Sequence, residues 1–448
     1  IFSSSSFAQM AKILVVGAGL TGAVAAWRLR NSLGPGAIIE CWEYLNDLGG
    51  RLCITGEQGI VADVATQYLS LDLQQTGVEQ LHNTLLSAGL LNEVDEDVLA
   101  STRERPSGPQ WKHFFVPSGT ASVVKFLLKL ANADLKTNCC LDLCSLDAEK
   151  WQWYVEAGGG KGGGSRRAES FDAVVLCNGP THPGCERMEN IWGEWQDIVS
   201  ASFWKALRGV TWSSCYVITL FLKAECKEHC HRFFGENEKN IQKQIDDDLV
   251  HYISYESRKR ASRSGKSGSL VVLVCHTTAE AMWTYRRSEC VQAVQDRVLA
   301  NYLKLPSPMA SRVVRRAHSR CWGKSQVTRS ISEVIGTPTT HIACNPTDAP
   351  PLALCGDYFL GSTCTDAIVS AMSGADAIAC SCGGDRAMLQ EAFSVDAHPR
   401  KASYWQEQDV KHWHQEEDAR DWIPRSSARE AKDKRVCTAR RWSRKQAA

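Results

Sequence analysis

The first half of the chain alternates short apolar runs with glycine turns and small-residue stretches. Ile13-Leu14-Val15-Val16 has no polar position, the pattern of a strand buried on both faces of a parallel sheet. A glycine turn follows, and residues 23–30 are rich in good helix formers. Ile38-Ile39-Glu40-Cys41-Trp42-Glu43 then reads as a second strand, giving a strand–helix–strand unit. Residues 122–130 predict a helix, with Val123, Val124, Phe126, Leu127 and Leu130 on one wide apolar face.

Residues 151–155 and 171–176 both read as strands. The stretch between them, Gly158 to Gly164 broken only by Lys161, is therefore expected to be an expanded hairpin loop. Residues 216–222, 270–274 and 352–357, the last ending in Gly-Asp, predict further strands, and residues 367–380, full of small side chains, a helix. Residues 258–266 are basic and serine-rich and are expected to form a solvated loop. Past Gly383 charges of both signs surround isolated tryptophans with few aliphatics. Such a segment buries too little apolar area to offset its ordering entropy, so residues 383–448 are expected to be a disordered tail. Residues 1–9 read as a disordered leader, lacking the basic start and smooth apolar core of a signal peptide.

Composition narrows the classes. A 448-residue chain, 44% hydrophobic and 23% charged, suits a globular protein of two or three domains. A net charge of +1 supplies no global field for nucleic acid or an anionic membrane surface, and no run is long and apolar enough to span a bilayer. The 19 cysteines are scattered without regular spacing, and several lie inside apolar runs, as Cys177 and Cys275 do. That usage fits buried free thiols in a reducing compartment such as the cytoplasm.

The candidate chemistry starts at Gly17-Ala18-Gly19-Leu20-Thr21-Gly22, a G-x-G-x-x-G placed between strand and helix. Gly17 permits the tight turn, Gly19 lets backbone approach a diphosphate, and Gly22 allows close helix packing. The helix start at Leu20 and Thr21 offers N–H groups to phosphate oxygens. Glu43 follows Gly22 by the spacing of an acid that bonds ribose hydroxyls. This fingerprint serves NAD and FAD alike. The next segment, Asp47-Leu48-Gly49-Gly50-Arg51, adds a second glycine pair and a forked cation for phosphate oxygens.

That order, leading out through Asp63-Val64-Ala65-Thr66-Gln67-Tyr68, resembles the FAD-binding start of the amine oxidase-like flavoproteins. Further segments resemble the renalases, an FAD-dependent branch of that superfamily. They are Phe115-Val116-Pro117-Ser118-Gly119, His276-Thr277-Thr278, Trp322-Gly323-Lys324-Ser325-Gln326-Val327-Thr328 and Cys355-Gly356-Asp357. The resemblance runs from Met10 to Cys380 and implies an α/β fold. A doubly wound, Rossmann-like FAD-binding domain would be assembled from residues 10–75, 117–185 and 340–382. A substrate domain with an antiparallel sheet would come from residues 76–116 and 186–339.

It also implies roles. Gly50, Arg51, Gln67 and Tyr68 would line the cofactor. Gly356 and Asp357 would meet the ribityl chain, and the helix entered at Asp366 would point its start at the flavin. His276 and Trp322 would face the substrate. The implied reaction is oxidation of the 2- and 6-dihydro isomers of NAD(P)H, with O2 reduced to H2O2. Two other readings stay open: a flavoenzyme acting on an amine or an apolar polycycle, and a flavin-free protein-binding module similar to the GDP dissociation inhibitors. Two remaining clusters are expected to be solvated: Arg258-Lys259-Arg260, and Cys226-Lys227-Glu228-His229-Cys230-His231, which lacks a second ligand pair at zinc spacing.

Overall fold

A six-stranded sheet carries the glycine turn. In the computed structural model its order is Ile342–Cys344, Leu352–Leu354, Ala173–Leu176, Lys12–Val16, Ile38–Trp42, Asp134–Lys136. Every neighbouring pair is parallel except Ile342–Cys344 with Leu352–Leu354 at one edge. The structure describes residues 11–94, 108, 110–159, 166–179, 191, 193–235, 240–264, 270–344 and 349–383, all within one compact unit. The expected leader, nearly all of the expected tail and most of the glycine-rich loop lie outside them.

The central strands are apolar because both faces are covered. One face of the sheet, with Ile13, Val15, Cys41 and Val175, packs against the helices Leu20–Leu33, Ala121–Leu130 and Cys364–Ser381. The other, with Leu14, Trp42, Val174 and Leu176, packs against a three-stranded antiparallel meander formed by Cys139–Asp147, Gln152–Gly159 and Arg167–Phe171. Each fully buried aliphatic contributes about 1.5–3 kcal/mol. The first helix stops at Gly34, whose φ of +76° suits a glycine and whose N–H bonds Arg30 O.

A five-stranded antiparallel sheet stands beside this assembly, in the order Gln242–Gln244, Val250–Tyr255, Leu270–Thr277, Thr211–Lys223, Val314–Arg329. Along Thr211–Lys223 successive side chains alternate between faces. Tyr216, Ile218, Leu220 and Leu222 enter a helix-covered core, while Val217 and Phe221 meet Cys53, Ala62 and Val64 from the N-terminal segment. The α/β class with a separate antiparallel sheet is as the sequence predicts.

Three expectations are corrected. The strand expected over residues 171–176 is split at Asp172: Arg167–Phe171 closes a hairpin on Gln152–Gly159, whereas Ala173–Leu176 joins the parallel sheet. The expected basic loop at 258–266 begins as a helix, Glu256–Ser264, and Lys259 is buried. The expected solvated cluster at 226–231 lies on a short 3-10 turn and the helix Lys227–Phe234, with Cys226 and Cys230 buried in an apolar core. Periodicity alone misses both helices, because their inward side chains are cysteines and charged groups.

Candidate active site

The glycine turn sits where Lys12–Val16 has neighbours on both sides, Ile38–Trp42 and Ala173–Leu176, neither reached by a simple hairpin. Such a switch point opens a crevice at the strand ends. Gly17 has φ +102° and its N–H donates to Trp42 O at 2.8 Å. A Cβ on Gly22 would stand 1.8 Å from Gly17 O, so helix and turn touch through that glycine. A Cβ on Gly19 would meet nothing closer than Gly49 O at 3.9 Å, leaving an open cradle. Leu20 turns its side chain into the core and Thr21 is half-buried. No side chain caps this helix and its first turn holds no acid, so its N–H groups face the cradle.

The second glycine pair closes on the first. Gly49 N–H donates to Ala18 O at 2.9 Å, and Gly19 and Gly49 form a parallel bridge. Gly50 has φ +54°. Glu43 ties the turn from the other side: its carboxylate accepts from Ala18 N at 2.8 Å and from Leu45 N at 2.9 Å. Burial pushes its carboxyl up, against the pull of these N–H groups and of Arg320. The third strand adds a residue that sequence reading missed. The backbone of Cys177 and Asn178 lies 3.3 Å from where a Gly17 Cβ would be, and Asn178 Oδ1 is buried without a partner. Its signal was the Asn178-Gly179-Pro180 sequence one residue past Ala173–Leu176.

Arg51 and Asp357 meet deeper in the crevice. Arg51 donates to Asp357 from both terminal nitrogens, at 2.6 Å each, and also to Ser325 O at 3.2 Å. Its side chain stays a third accessible, whereas that of Asp357 is buried. Gly356 N–H is held by Ser370 Oγ at 2.8 Å. Asp366 serves the helix itself, in a capping box with Thr363 at the start of Cys364–Ser381. Gln67 donates to Asp63 O at 2.6 Å while its Oε1 is buried and unpartnered, and the Tyr68 ring stands edge-on to His113.

The antiparallel sheet supplies the facing wall. Tyr252, His276, Val217 and Arg320 stand directly opposite one another on four neighbouring strands, so their side chains share one face. His276 keeps some accessible surface, yet its Nε2 is buried without a partner, and the Tyr252 ring lies edge-on at 5.3 Å. Burial, then the charges of His251 and Lys259, lower its pKa to about 3, so the imidazole is neutral. Trp322 is buried, its indole N–H donating to Val64 O at 3.1 Å. It ties Val64 to the sheet.

Behind the wall, Asp63 and Glu256 meet Lys259 and Arg260. Lys259 reaches Asp63 at 2.6 Å and Glu256 at 3.2 Å, Arg260 reaches Asp63 at 2.7 Å, and Arg260 also pairs with Glu256. Thr120 N–H donates to the same Asp63 carboxylate at 2.8 Å. Sequence reading placed Arg258-Lys259-Arg260 in solvent; here two of the three are the counterions of buried acids.

The residues present could hold a flavin dinucleotide: an open cradle at Gly19, an uncapped helix start, the Glu43 acid beside the turn, and unpartnered oxygens on Asn178 and Gln67.

The NAD(P)-binding Rossmann-like domain family matches residues 15–85. Renalase from Mus musculus is 27% identical over 374 residues, covering 81% of this chain and 97% of its own. Among solved structures, putrescine oxidase redesigned for cofactor binding superimposes with a TM-score of 0.54 at 14% identity. A protoporphyrinogen oxidase-like protein from Exiguobacterium sp. 255-15 gives 0.50 at 12%. Both cover 83% of this chain and 99% of theirs. The chain is renalase-like in sequence and amine oxidase-like in fold. No helix among the described residues is long and apolar enough to cross a membrane.

Proposed function

We propose that this renalase-like chain is an FAD-dependent oxidoreductase that oxidises the 2- and 6-dihydro isomers of NAD(P)H. Bound FAD would supply hydride acceptance from the substrate and the return of both electrons to O2 as H2O2. The two glycine turns and the start of Leu20–Leu33 would hold the cofactor's diphosphate, Glu43 its ribose, and Arg51 with Asp357 its ribityl side. His276 and Tyr252 would orient the substrate ring, and Trp322 would keep water from that face.

The observation that carries the reading is the wall itself. His276 offers an unsatisfied Nε2 and is neutral, and Arg320 stands in the same row. Among the described residues no carboxylate stands in that row, so it suits an anionic, hydrogen-bonding substrate better than an amine cation. The renalase likeness points the same way.

Anaerobic stopped-flow recording of flavin absorbance tests this, with 2-, 4- and 6-dihydronicotinamide dinucleotides and a panel of amines as reductants. Fast bleaching by the 2- or 6-dihydro isomers and none by amines is the expected result. Bleaching by an amine alone would overturn the substrate assignment. A purified protein without flavin absorbance would favour the non-catalytic module.

A further inference from the structure

Arg320 lies midway along Val314–Arg329, across Val217 from His276. Its guanidinium sits 5.5 Å over the Trp322 ring, which holds its plane, and one N–H reaches Cys53 Sγ at 2.7 Å. A guanidinium carries five N–H donors, and sulfur is a weak acceptor. Among the described residues no carboxylate stands within ion-pair distance of Arg320. Its neighbours on the same face, His318 and Arg316, bring it no counterion. His318 Nδ1 is buried without a partner, and Arg316 is paired with Glu57 at 2.9 Å.

Arg320 is also near enough to Glu43 to favour its carboxylate, which places the guanidinium by the ribose end of the glycine turn. Arg51, the cation that the sequence assigns to phosphate oxygens, is held at both terminal nitrogens by Asp357. The crevice thus holds one arginine committed to an acid and one whose fork is open.

We propose that Arg320 is a diphosphate-binding residue, a cation delivered from the antiparallel sheet to a dinucleotide lying against the short turn Gly50–Leu52 that ends at Cys53. A planar fork matches two oxygens of a phosphate, which a thiol cannot replace. The diphosphate is that of the flavin or that of the substrate, and this inference rests on the flavin and dinucleotide-substrate reading above.

Two titrations distinguish the sources, each on wild type, Arg320→Met and Arg320→Lys. In the first, apoprotein is titrated with FAD and with riboflavin, which has no phosphate. In the second, flavin-loaded protein is titrated with ADP-ribose and with adenosine, followed by tryptophan fluorescence. Losing a hydrogen-bonded charge predicts roughly 10- to 150-fold weaker binding of the diphosphate compound in Arg320→Met, with riboflavin or adenosine unchanged. Arg320→Lys, which keeps the charge and loses the fork, should lie between.

A loss confined to FAD assigns the flavin's diphosphate, and a loss confined to ADP-ribose assigns the substrate's. Arg320→Met that binds both within about twofold of wild type, or that weakens riboflavin and adenosine equally, overturns the proposal. A protein that takes up no flavin overturns the function reading instead. ADP-ribose titration of that protein still reads Arg320: unchanged affinity in Arg320→Met overturns the proposal there too.

Discussion

Arg51 and Asp357 stand 306 residues apart in the chain and grip each other through two contacts of 2.6 Å. The pair joins the second glycine turn to the end of the strand Leu352–Leu354, so on the proposed reading Asp357 would both accept from the ribityl chain and aim Arg51. Asp357→Ala removes the acceptor and unhooks the arginine. An unsatisfied buried polar group costs about 1–3 kcal/mol, so FAD should bind roughly 5- to 150-fold more weakly. Molecules that keep FAD should still be reduced at the wild-type rate. Apoprotein titration gives the affinity and single-turnover reduction the rate. Normal binding with lost reduction would place Asp357 on the substrate instead.

Gly19 and Gly22 should respond differently to the same change. At Gly19 a side chain has room, so Gly19→Val should fold with a near-normal thermal midpoint and yet purify without flavin, its methyls filling the phosphate cradle. At Gly22 the new Cβ meets backbone at 1.8 Å, so Gly22→Val should lower the midpoint itself. Melting curves and flavin absorbance of the two variants decide. A fully flavinated Gly19→Val would remove the cradle from the site.

The glycine turn was legible because its constraint is local: φ, spacing and the flanking strand all lie within residues 12–43. The facing wall was not. His276 and Trp322 are visible as residues, but Arg320 joins His276 only through the register of three strands, one of which carries bulges. Lys259 misled for a related reason. A basic run reads as solvated until Asp63, nearly two hundred residues earlier, is found beside it.

His276 gives a pH signature. Its folded pKa is about 3, while the unfolded chain titrates near 6.5. Between these values the unfolded state binds the extra proton. The contribution to stability is therefore whole above about pH 6.5 and declines as pH falls toward about 3, by roughly 1–2 kcal/mol at pH 5. Wild type should lose more stability than His276→Gln between pH 7 and pH 5 in denaturant titrations. Parallel curves for the two proteins would show that the imidazole is not sealed from water.

Lys259 should matter to stability more than an ordinary lysine. Burial alone would raise the Asp63 carboxyl, but Lys259 and Arg260 outweigh it and hold it below the usual range. Lys259→Met strands part of that charge in the interior, at a cost of about 3–5 kcal/mol. Equilibrium unfolding checks it. A loss under about 1 kcal/mol would mean that Arg260 neutralises both acids unaided.

The helix Cys364–Ser381 lies along Leu20–Leu33, and Asp376 clasps Arg28 at 2.6 Å across 348 residues. During translation the N-terminal strand and helix emerge long before their partner. At 5–20 residues per second, that partner follows by on the order of tens of seconds. Throughout that interval the apolar side of Leu20–Leu33 and the arginine within it face solvent or a chaperone. A chain cut short before residue 364 would therefore keep every glycine of the fingerprint and lack the helix that packs against its first helix.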